Sequence, residues 1–126
     1  MTLTIAYGCL LAAFMMPFVC AGIAKGGRSR YDNRAPRQWE RSLQGYRLRA
    51  VAAESNTFEA LPFFAAAVII AHQRGAPQGT LDALAMVWLA LRSGYVALYV
   101  ADRATARSLV WTAALAVNIW IFVLGG

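Results

Sequence analysis

The first 24 residues of the chain, Met1–Ala24, read MTLTIAYGCLLAAFMMPFVCAGIA and contain no charged side chain. A helix needs about 20 apolar residues to cross the hydrocarbon core of a bilayer, so this stretch is long enough to span one. It lacks the basic start of a signal peptide, and its apolar run exceeds the roughly 7–15 residues of such a peptide's core. We therefore predict a retained transmembrane helix over about residues 3–23.

Three further stretches have the length and apolar character of spans, over about residues 50–71, 83–101 and 108–124. Hydrophobic residues make up 60% of the chain and charged residues 14%, whereas a soluble domain has about 25% charged residues. This composition excludes a disordered chain and argues against a soluble globular monomer. It predicts one domain over residues 1–126 with an all-α fold, an integral membrane four-helix bundle.

Most of the basic residues lie in one segment, residues 25–49, between the first two predicted spans. The loop after the third span adds Arg103 and Arg107 on the same side, and only Arg74 lies on the opposite side. Because basic loops stay in the cytoplasm, we predict that both termini are non-cytoplasmic. A basic stretch can also bind nucleic acid, but its position between two spans argues against such a partner. The basic residues of this segment are Lys25, Arg28, Arg30, Arg34, Arg37, Arg41, Arg47 and Arg49.

Residues that bind metals are too few and too scattered to predict a metal site. His72 is the single histidine, and both cysteines, Cys9 and Cys20, fall in the first span. The cysteines are 11 residues apart, about 16 Å along a helix axis, which exceeds the reach of a disulfide. We interpret them as small packing residues.

Charged residues inside the spans are the candidates for function, because they usually face the bundle interior or a wet cavity. Arg49, Asn56 and Glu59 are spaced so that they share one face of the second span. Arg92 shares a face of the third span with two tyrosines, Tyr95 and Tyr99. Two polar stripes on neighbouring antiparallel helices predict a polar cleft that opens to the cytoplasm. The alternative is that Arg92 pairs with Glu59 and only links the two helices.

These residues resemble the motifs of the MAPEG family, the membrane-associated proteins in eicosanoid and glutathione metabolism. The segment Asn56-Thr-Phe-Glu59-Ala-Leu-Pro62 is similar to the family's Asn-x-x-Glu-x-x-Pro signature. Arg92-Ser-Gly-Tyr95-Val-Ala-Leu-Tyr99 is similar to its Arg-x-x-Tyr-x-x-x-Tyr pattern, and Arg107-Ser108 resembles an Arg-Ser pair that lies near the thiol. The resemblance covers nearly the whole chain and implies a homotrimer of four-helix protomers with the site between protomers.

The chain departs from the family pattern at two positions. Family enzymes usually carry an Arg four residues before the signature Asn, where this chain has Ala52. Trp111 stands where a family enzyme has a Tyr, four residues after Arg107. These departures indicate a divergent bacterial-type member, which we expect in the bacterial inner membrane.

The resemblance implies a glutathione-dependent transferase or peroxidase that acts on lipophilic electrophiles, with glutathione as cosubstrate. Adjacent cations lower the pKa of a free thiol from about 8.5. Arg107 is the candidate for stabilising the thiolate, and the Ser108 hydroxyl is the candidate for assisting it. The candidates for binding the rest of glutathione are Lys25, Arg49, Asn56, Glu59, Arg92, Tyr95 and Tyr99.

Three alternatives stay open from the sequence. The loss of the Arg at Ala52 also fits a non-catalytic scaffold of the same fold that binds a lipid or a fatty acid. Four short helices with a central Arg92 would need an oligomeric pore to act as a channel or transporter subunit. Arg107 itself can be a topology anchor whose guanidinium reaches the lipid headgroups.

Overall fold

The computed structural model describes residues 3–26 and 31–126, so Arg28 and Arg30 of the basic segment lie outside the described residues. The described residues form helices joined by short loops, with no strand among them, and the predicted all-α fold is confirmed. The helices are α1 (Ile5–Lys25), α2 (Pro36–Arg41), α3 (Tyr46–Gln73), α4 (Gln78–Val100) and α5 (Ala104–Val123).

The four long helices alternate in direction, and α3 and α4 form the centre of the bundle. Both central helices pack against each other and against α1 and α5, whereas no contact joins α1 to α5 within the described part of the chain. The ends of α1 and α4 therefore meet the starts of α3 and α5 at one end of the bundle. This end, which we call the basic end, carries the segment 31–45 and the connection 101–103.

Small side chains let α1 and α3 approach closely. Most buried residues of α1 are three or four positions apart and form one face of the helix. The buried residues of α3 include small alanines such as Ala53 and Ala67. Small residues at such contacts are typical of helices that associate within membranes. Both cysteines are free and buried. The buried residues of α1 are Ala6, Cys9, Leu10, Ala13, Pro17, Cys20 and Ala24.

Aromatic stacking joins the two central helices. The rings of Phe64 on α3 and Trp88 on α4 are stacked, with centroids 3.7 Å apart and planes 4° apart. Both side chains are buried, and they lie in the main apolar cluster with Leu61 and Leu81. This cluster fixes α3 and α4 relative to each other. The two helices in turn position the polar residues near the basic end.

α3 is longer than the predicted span. It begins at Tyr46 rather than near residue 50, because the helix continues past the apolar stretch until Gly45, whose φ of 65° no helix accommodates. At the other end, Gly75 adopts φ 74° and the Ala76 amide donates to the Ala71 carbonyl. This is a Schellman motif, which ends the helix and satisfies its last carbonyls.

Three helices are long and apolar enough to cross a membrane, namely α1, α4 and α5. α3 has 28 residues and thus a length of about 42 Å, but it does not meet the same criterion of apolar composition. Its first half carries two arginines, two glutamates and an asparagine, which lower its mean hydropathy. The chain is an integral membrane four-helix bundle, as predicted, with one span that is more polar than the others.

The predicted basic loop contains a short helix, α2. Pro36 stands at its start, where the missing amide hydrogen of proline costs nothing. The Trp39 ring meets the edge of the Tyr31 ring at 4.9 Å, and the Lys25 ammonium lies 4.1 Å from the centre of the Tyr31 ring. These contacts connect the end of α1 to α2.

Candidate functional site

A polar cleft opens near the basic end, between α3, α4 and α5. Its volume is about 630 Å³. Six of the nine predicted site residues line it, so the structure brings together polar groups from three helices. The lining residues are Ala52, Ser55, Asn56, Glu59, Tyr95, Tyr99, Arg107, Ser108, Trp111 and Thr112.

Two arginines and two tyrosines of α4 and α5 are in contact beside the cleft, and three of them, Tyr95, Tyr99 and Arg107, line it. The Arg92 guanidinium carbon lies 4.3 Å from the centre of the Tyr95 ring, and the Arg107 guanidinium carbon lies 4.0 Å from the centre of the Tyr99 ring. The two tyrosine rings meet edge to face at 5.7 Å. Cation–π contacts of this kind hold a guanidinium in place while leaving its N–H groups free to donate. We call these four residues the arginine–tyrosine ladder.

Arg92 forms the buried end of the ladder. Its Nη2 donates to Asn56 Oδ1 at 3.0 Å and to Thr57 Oγ1 at 3.2 Å. The Thr57 hydroxyl donates in turn to the Ala53 carbonyl at 2.8 Å. The alternative in which Arg92 pairs with Glu59 is not realised, since the one ion pair among the described residues joins Arg37 and Glu40.

Glu59 is exposed in the cleft and hydrogen-bonds to none of the described residues. Asn56, one turn earlier on α3, uses its carbonyl oxygen for Arg92 and so presents its amide nitrogen as a remaining donor. The cleft is therefore lined by a carboxylate and an amide donor from α3 and by Arg107 and the Ser108 hydroxyl from α5.

Three predicted binding residues do not line the cleft, namely Arg92, which is buried behind it, and Lys25 and Arg49. The Arg49 Nε donates to the Val100 carbonyl at 3.0 Å, which satisfies a carbonyl at the end of α4. Lys25 lies against the Tyr31 ring instead. Arg47 has a role like that of Arg49, because its Nη1 donates to the Ala24 carbonyl at the end of α1. Basic side chains near helix C-termini commonly bond the last carbonyls in this way.

Three polar residues at the site, Ser55, Thr57 and Thr112, belong to none of the motifs predicted from the sequence. Thr57 is fully buried and accepts from Arg92, although a threonine in an apolar span looks like a packing residue. Thr112 lies four residues after Ser108, and this spacing on one helix face is the signal that predicts its place in the cleft. Ser55 precedes the signature Asn56 and lines the cleft beside Ala52.

The cleft provides the groups that a charged tripeptide with a thiol requires. Arg107 is a fixed cation for a thiolate or a carboxylate, and Glu59 can accept from an ammonium group. Asn56 and the tyrosine hydroxyls can donate and accept hydrogen bonds. Among the described residues, no group of three or more His, Cys, Asp and Glu side chains is placed to hold a metal ion.

The bundle and its cleft define a class of membrane-embedded α-helical proteins whose polar site lies near one membrane surface. The sequence model of the MAPEG family matches residues 5–126, and the chain belongs to this family. No curated protein and no solved structure matched the chain. Family membership associates the chain with the glutathione-related transferases and peroxidases of membranes in general.

Proposed function

We propose that the chain is a membrane-embedded glutathione-dependent transferase or peroxidase that acts on lipophilic electrophiles. The observation that carries this proposal is that Tyr95, Tyr99 and Arg107 of the arginine–tyrosine ladder line one cleft together with Asn56 and Glu59. In this proposal, Arg107 stabilises the thiolate and Ser108 donates a hydrogen bond to the sulfur. Glu59 and Asn56 bind the polar ends of the tripeptide, and Arg92 holds Asn56 in position.

The proposed chemistry needs the thiol of glutathione as its anion at neutral pH. A guanidinium next to a thiol favours the anion and lowers the thiol pKa from about 8.5. Arg107 is held against Tyr99 within the cleft, at the start of α5. An electrophile dissolved in the bilayer can reach the same depth between the helices, because the cleft is open on its outer side, where Trp111 and Thr112 are exposed.

We also propose a homotrimer in the bacterial inner membrane, with the basic end in the cytoplasm. The family resemblance supports the trimer, and the Lys and Arg bias of the loops supports the orientation. Lys25 and Arg49, which do not line the cleft of one protomer, stay candidates for contacts with glutathione in the assembled trimer. Cross-linking of the protein in native membranes, followed by its mass in detergent, tests the oligomeric state.

The experiment for the function is glutathione binding to detergent-purified protein by calorimetry, followed by conjugation to a generic aryl halide and reduction of an organic hydroperoxide. We expect saturable binding and turnover that both depend on Arg107. Arg103→Ala is the matched control, because Arg103 lies at the same end of α5, is exposed and does not line the cleft. Absence of glutathione binding by the folded protein contradicts the proposal.

A second candidate function is a non-catalytic scaffold that binds a lipid or a fatty acid. One observation favours it, since Ala52 lines the cleft at the position where family enzymes usually carry an Arg. The cleft of one protomer thereby has fewer cations for the carboxylates of glutathione. Binding of a fatty acid with no conjugation or peroxide reduction supports the scaffold and excludes the enzyme.

A further inference from the structure

Thr57 lies behind the cleft, on the buried face of α3, and is 0% exposed. It does not line the cleft, although it follows Asn56, which does. Its hydroxyl donates to the Ala53 carbonyl at 2.8 Å and accepts from Arg92 Nη2 at 3.2 Å. A hydroxyl has a single hydrogen, and a carbonyl can only accept. The hydrogen of Thr57 is therefore committed to Ala53, and the hydroxyl oxygen acts only as an acceptor toward Arg92.

The Nη2 group of Arg92 donates to two successive residues of α3. One hydrogen bond goes to Thr57 Oγ1 and the other to Asn56 Oδ1, at 3.0 Å. Successive side chains of a helix point about 100° apart, so the two bonds hold Nη2 from two directions. The face of the Tyr95 ring, 4.3 Å from the guanidinium carbon, attracts the positive charge without selecting a direction for any one N–H group. The two acceptors on α3 therefore set the rotation of the guanidinium in its own plane.

Thr57 is the more rigid of the two acceptors. The bond from its hydroxyl to the carbonyl four residues earlier selects one rotamer of this β-branched side chain. Asn56 is only half-buried, and the terminal torsion of an asparagine side chain is broad, so its amide turns easily. An arginine held by Thr57 therefore determines how the Asn56 amide is oriented, rather than the reverse.

The orientation of the Asn56 amide decides what the cleft offers to a ligand. Arginine has donors and no acceptor, so only the carbonyl oxygen of Asn56 can face Arg92. The amide nitrogen and its hydrogens are then left for the cleft that Asn56 lines. Without a fixed Arg92 the amide can turn and offer its oxygen, which repels a carboxylate or a carbonyl of the ligand.

We propose that Thr57 is a positioning residue of the cleft, which fixes the Arg92 guanidinium and through it the donor orientation of the Asn56 amide. All the contacts in this series of three side chains lie within one protomer. The effect of Thr57 on the Asn56 amide can be tested without a ligand, whereas its effect on glutathione rests on the proposed function. The two effects are therefore measured separately.

The test without a ligand is nuclear magnetic resonance of the protein in detergent micelles, with 15N in the side-chain amides of asparagine. The chain has three asparagines, so Asn56 gives one of three side-chain amide signals. Thr57→Val keeps the branched shape and removes the acceptor, and we expect the order parameter of the Asn56 amide to fall. Thr57→Ser keeps the hydroxyl and should restore it. Ser93→Ala is the control, because Ser93 donates to the Leu89 carbonyl at 2.8 Å in the same manner but is exposed and does not line the cleft.

Glutathione is the probe for the second measurement. We expect Thr57→Val to raise the Kd and the KM for glutathione about tenfold, the equivalent of about one hydrogen bond. Turnover at saturating glutathione and the KM for the aryl halide should stay within about twofold of the parent, because a positioning residue does not touch the reacting atoms. A purely structural role would instead reduce the folded fraction, and thus turnover, without changing the KM for glutathione.

The outcomes separate this proposal from the proposed function. An Asn56 amide as rigid in folded Thr57→Val as in the parent overturns the positioning role, whether or not glutathione binds. An unchanged glutathione affinity in Thr57→Val, with a parent that binds glutathione, also overturns it and leaves the proposed function intact. A mobile amide in Thr57→Val, with a parent that does not bind glutathione, supports the positioning role and rejects the proposed function.

A second variant covers the case in which Thr57→Val does not fold. Thr57→Ala also removes the acceptor, and alanine has the highest helix propensity. We expect the same loss of amide order as in Thr57→Val. Failure of both variants to fold, beside a folded Thr57→Ser, assigns the hydroxyl to stability alone and overturns the proposal.

Discussion

Arg92 carries its charge inside the bundle with neutral partners. The amide of Asn56, the hydroxyl of Thr57 and the face of Tyr95 surround it. A charge at the centre of a membrane costs at least about 2.5–3.5 kcal/mol on insertion scales, and hydrogen bonds to a charged group return about 1.5–3 kcal/mol each. Because these neutral groups solvate Arg92, Glu59 keeps its carboxylate free for a ligand.

Glu59→Gln should therefore lower the affinity for glutathione while leaving the stability of the protein nearly unchanged. We expect the affinity for glutathione to fall by about 10- to 100-fold, because a charge-assisted hydrogen bond is lost. The free energy of unfolding should change by less than about 0.5 kcal/mol, since Glu59 has no ion-pair partner among the described residues. Calorimetry and unfolding in mixed micelles give the two values. Glu54→Gln is the control, because Glu54 does not line the cleft.

A substitution can distinguish two roles of Arg107, namely stabilisation of the thiolate and anchoring at the lipid headgroups. An anchor needs only a cation, so Arg107→Lys would be silent. A group that stabilises a thiolate uses the fork and reach of the guanidinium, so we expect Lys to lower turnover about tenfold or more while glutathione still binds. Arg107→Ala should return the pKa of the bound thiol toward about 8.5. Ultraviolet absorbance of the thiolate against pH measures it, and an unchanged pKa rejects the assignment.

Spacing predicted which residues share a helix face, but it did not predict which partner each side chain selects. Asn56, Glu59 and the ladder residues lie together because the polar faces of their helices are turned toward one another. Arg49 shares the face of Asn56 by spacing, yet its guanidinium bonds the Val100 carbonyl. Helix ends leave unpaired carbonyls, and these carbonyls compete with a ligand for an arginine side chain. The competing carbonyl can be identified only once the position of the neighbouring helix is known.

At the scale of the helices, Arg47 and Arg49 at the start of α3 bond the ends of α1 and α4. We expect Arg49→Met to destabilise the bundle by about 1–3 kcal/mol, because it leaves a carbonyl of α4 unpaired. Arg41→Met is the control, since Arg41 is exposed on α2. Unfolding in mixed micelles measures both. A loss of glutathione affinity without a loss of stability would instead indicate that Arg49 binds ligand.

The two helix ends with positive φ give a matched pair of substitutions. Gly75 and Asp102 both end helices in Schellman motifs, with φ of 74° and 62°. A side chain in this region costs about 1–2 kcal/mol. We therefore expect Gly75→Ala to destabilise the protein and Asp102→Gly to stabilise it, each by about 1 kcal/mol. Thermal unfolding of both variants checks the signs, and equal signs would contradict the backbone argument.

The presence of the long helices follows from apolar composition, but their ends do not. α3 extends beyond its apolar stretch because Arg47 and Arg49 find partners at the basic end. The counting of apolar residues stops at the first charges, whereas the backbone continues until Gly45. α2 was not predicted, because six residues are too few for a periodic pattern to stand out.

At the scale of the molecule, the basic end also contains the cleft, so orientation determines which compartment supplies the ligand. We expect the basic end to face the cytoplasm, because the Lys and Arg residues of the loops lie there. A phosphatase that is active only outside the cytoplasm should be active when fused after Gly126. The same reporter fused after Asp102 should be inactive. The reverse pattern would place the cleft on the opposite side of the membrane.

The polar composition of α3 has a consequence for how the protein reaches its membrane. α1, α4 and α5 are long and apolar enough to cross a membrane, whereas α3 does not meet the same criterion of apolar composition. Because the charged half of α3 is stabilised only by the neighbouring helices, we expect it to wait at the translocon until α4 has been synthesised. The connection 101–103 is so short that α5 then follows α4 as a hairpin. We therefore expect biogenesis of this bundle to be cooperative, and truncation before α4 should leave a chain that membrane proteases degrade.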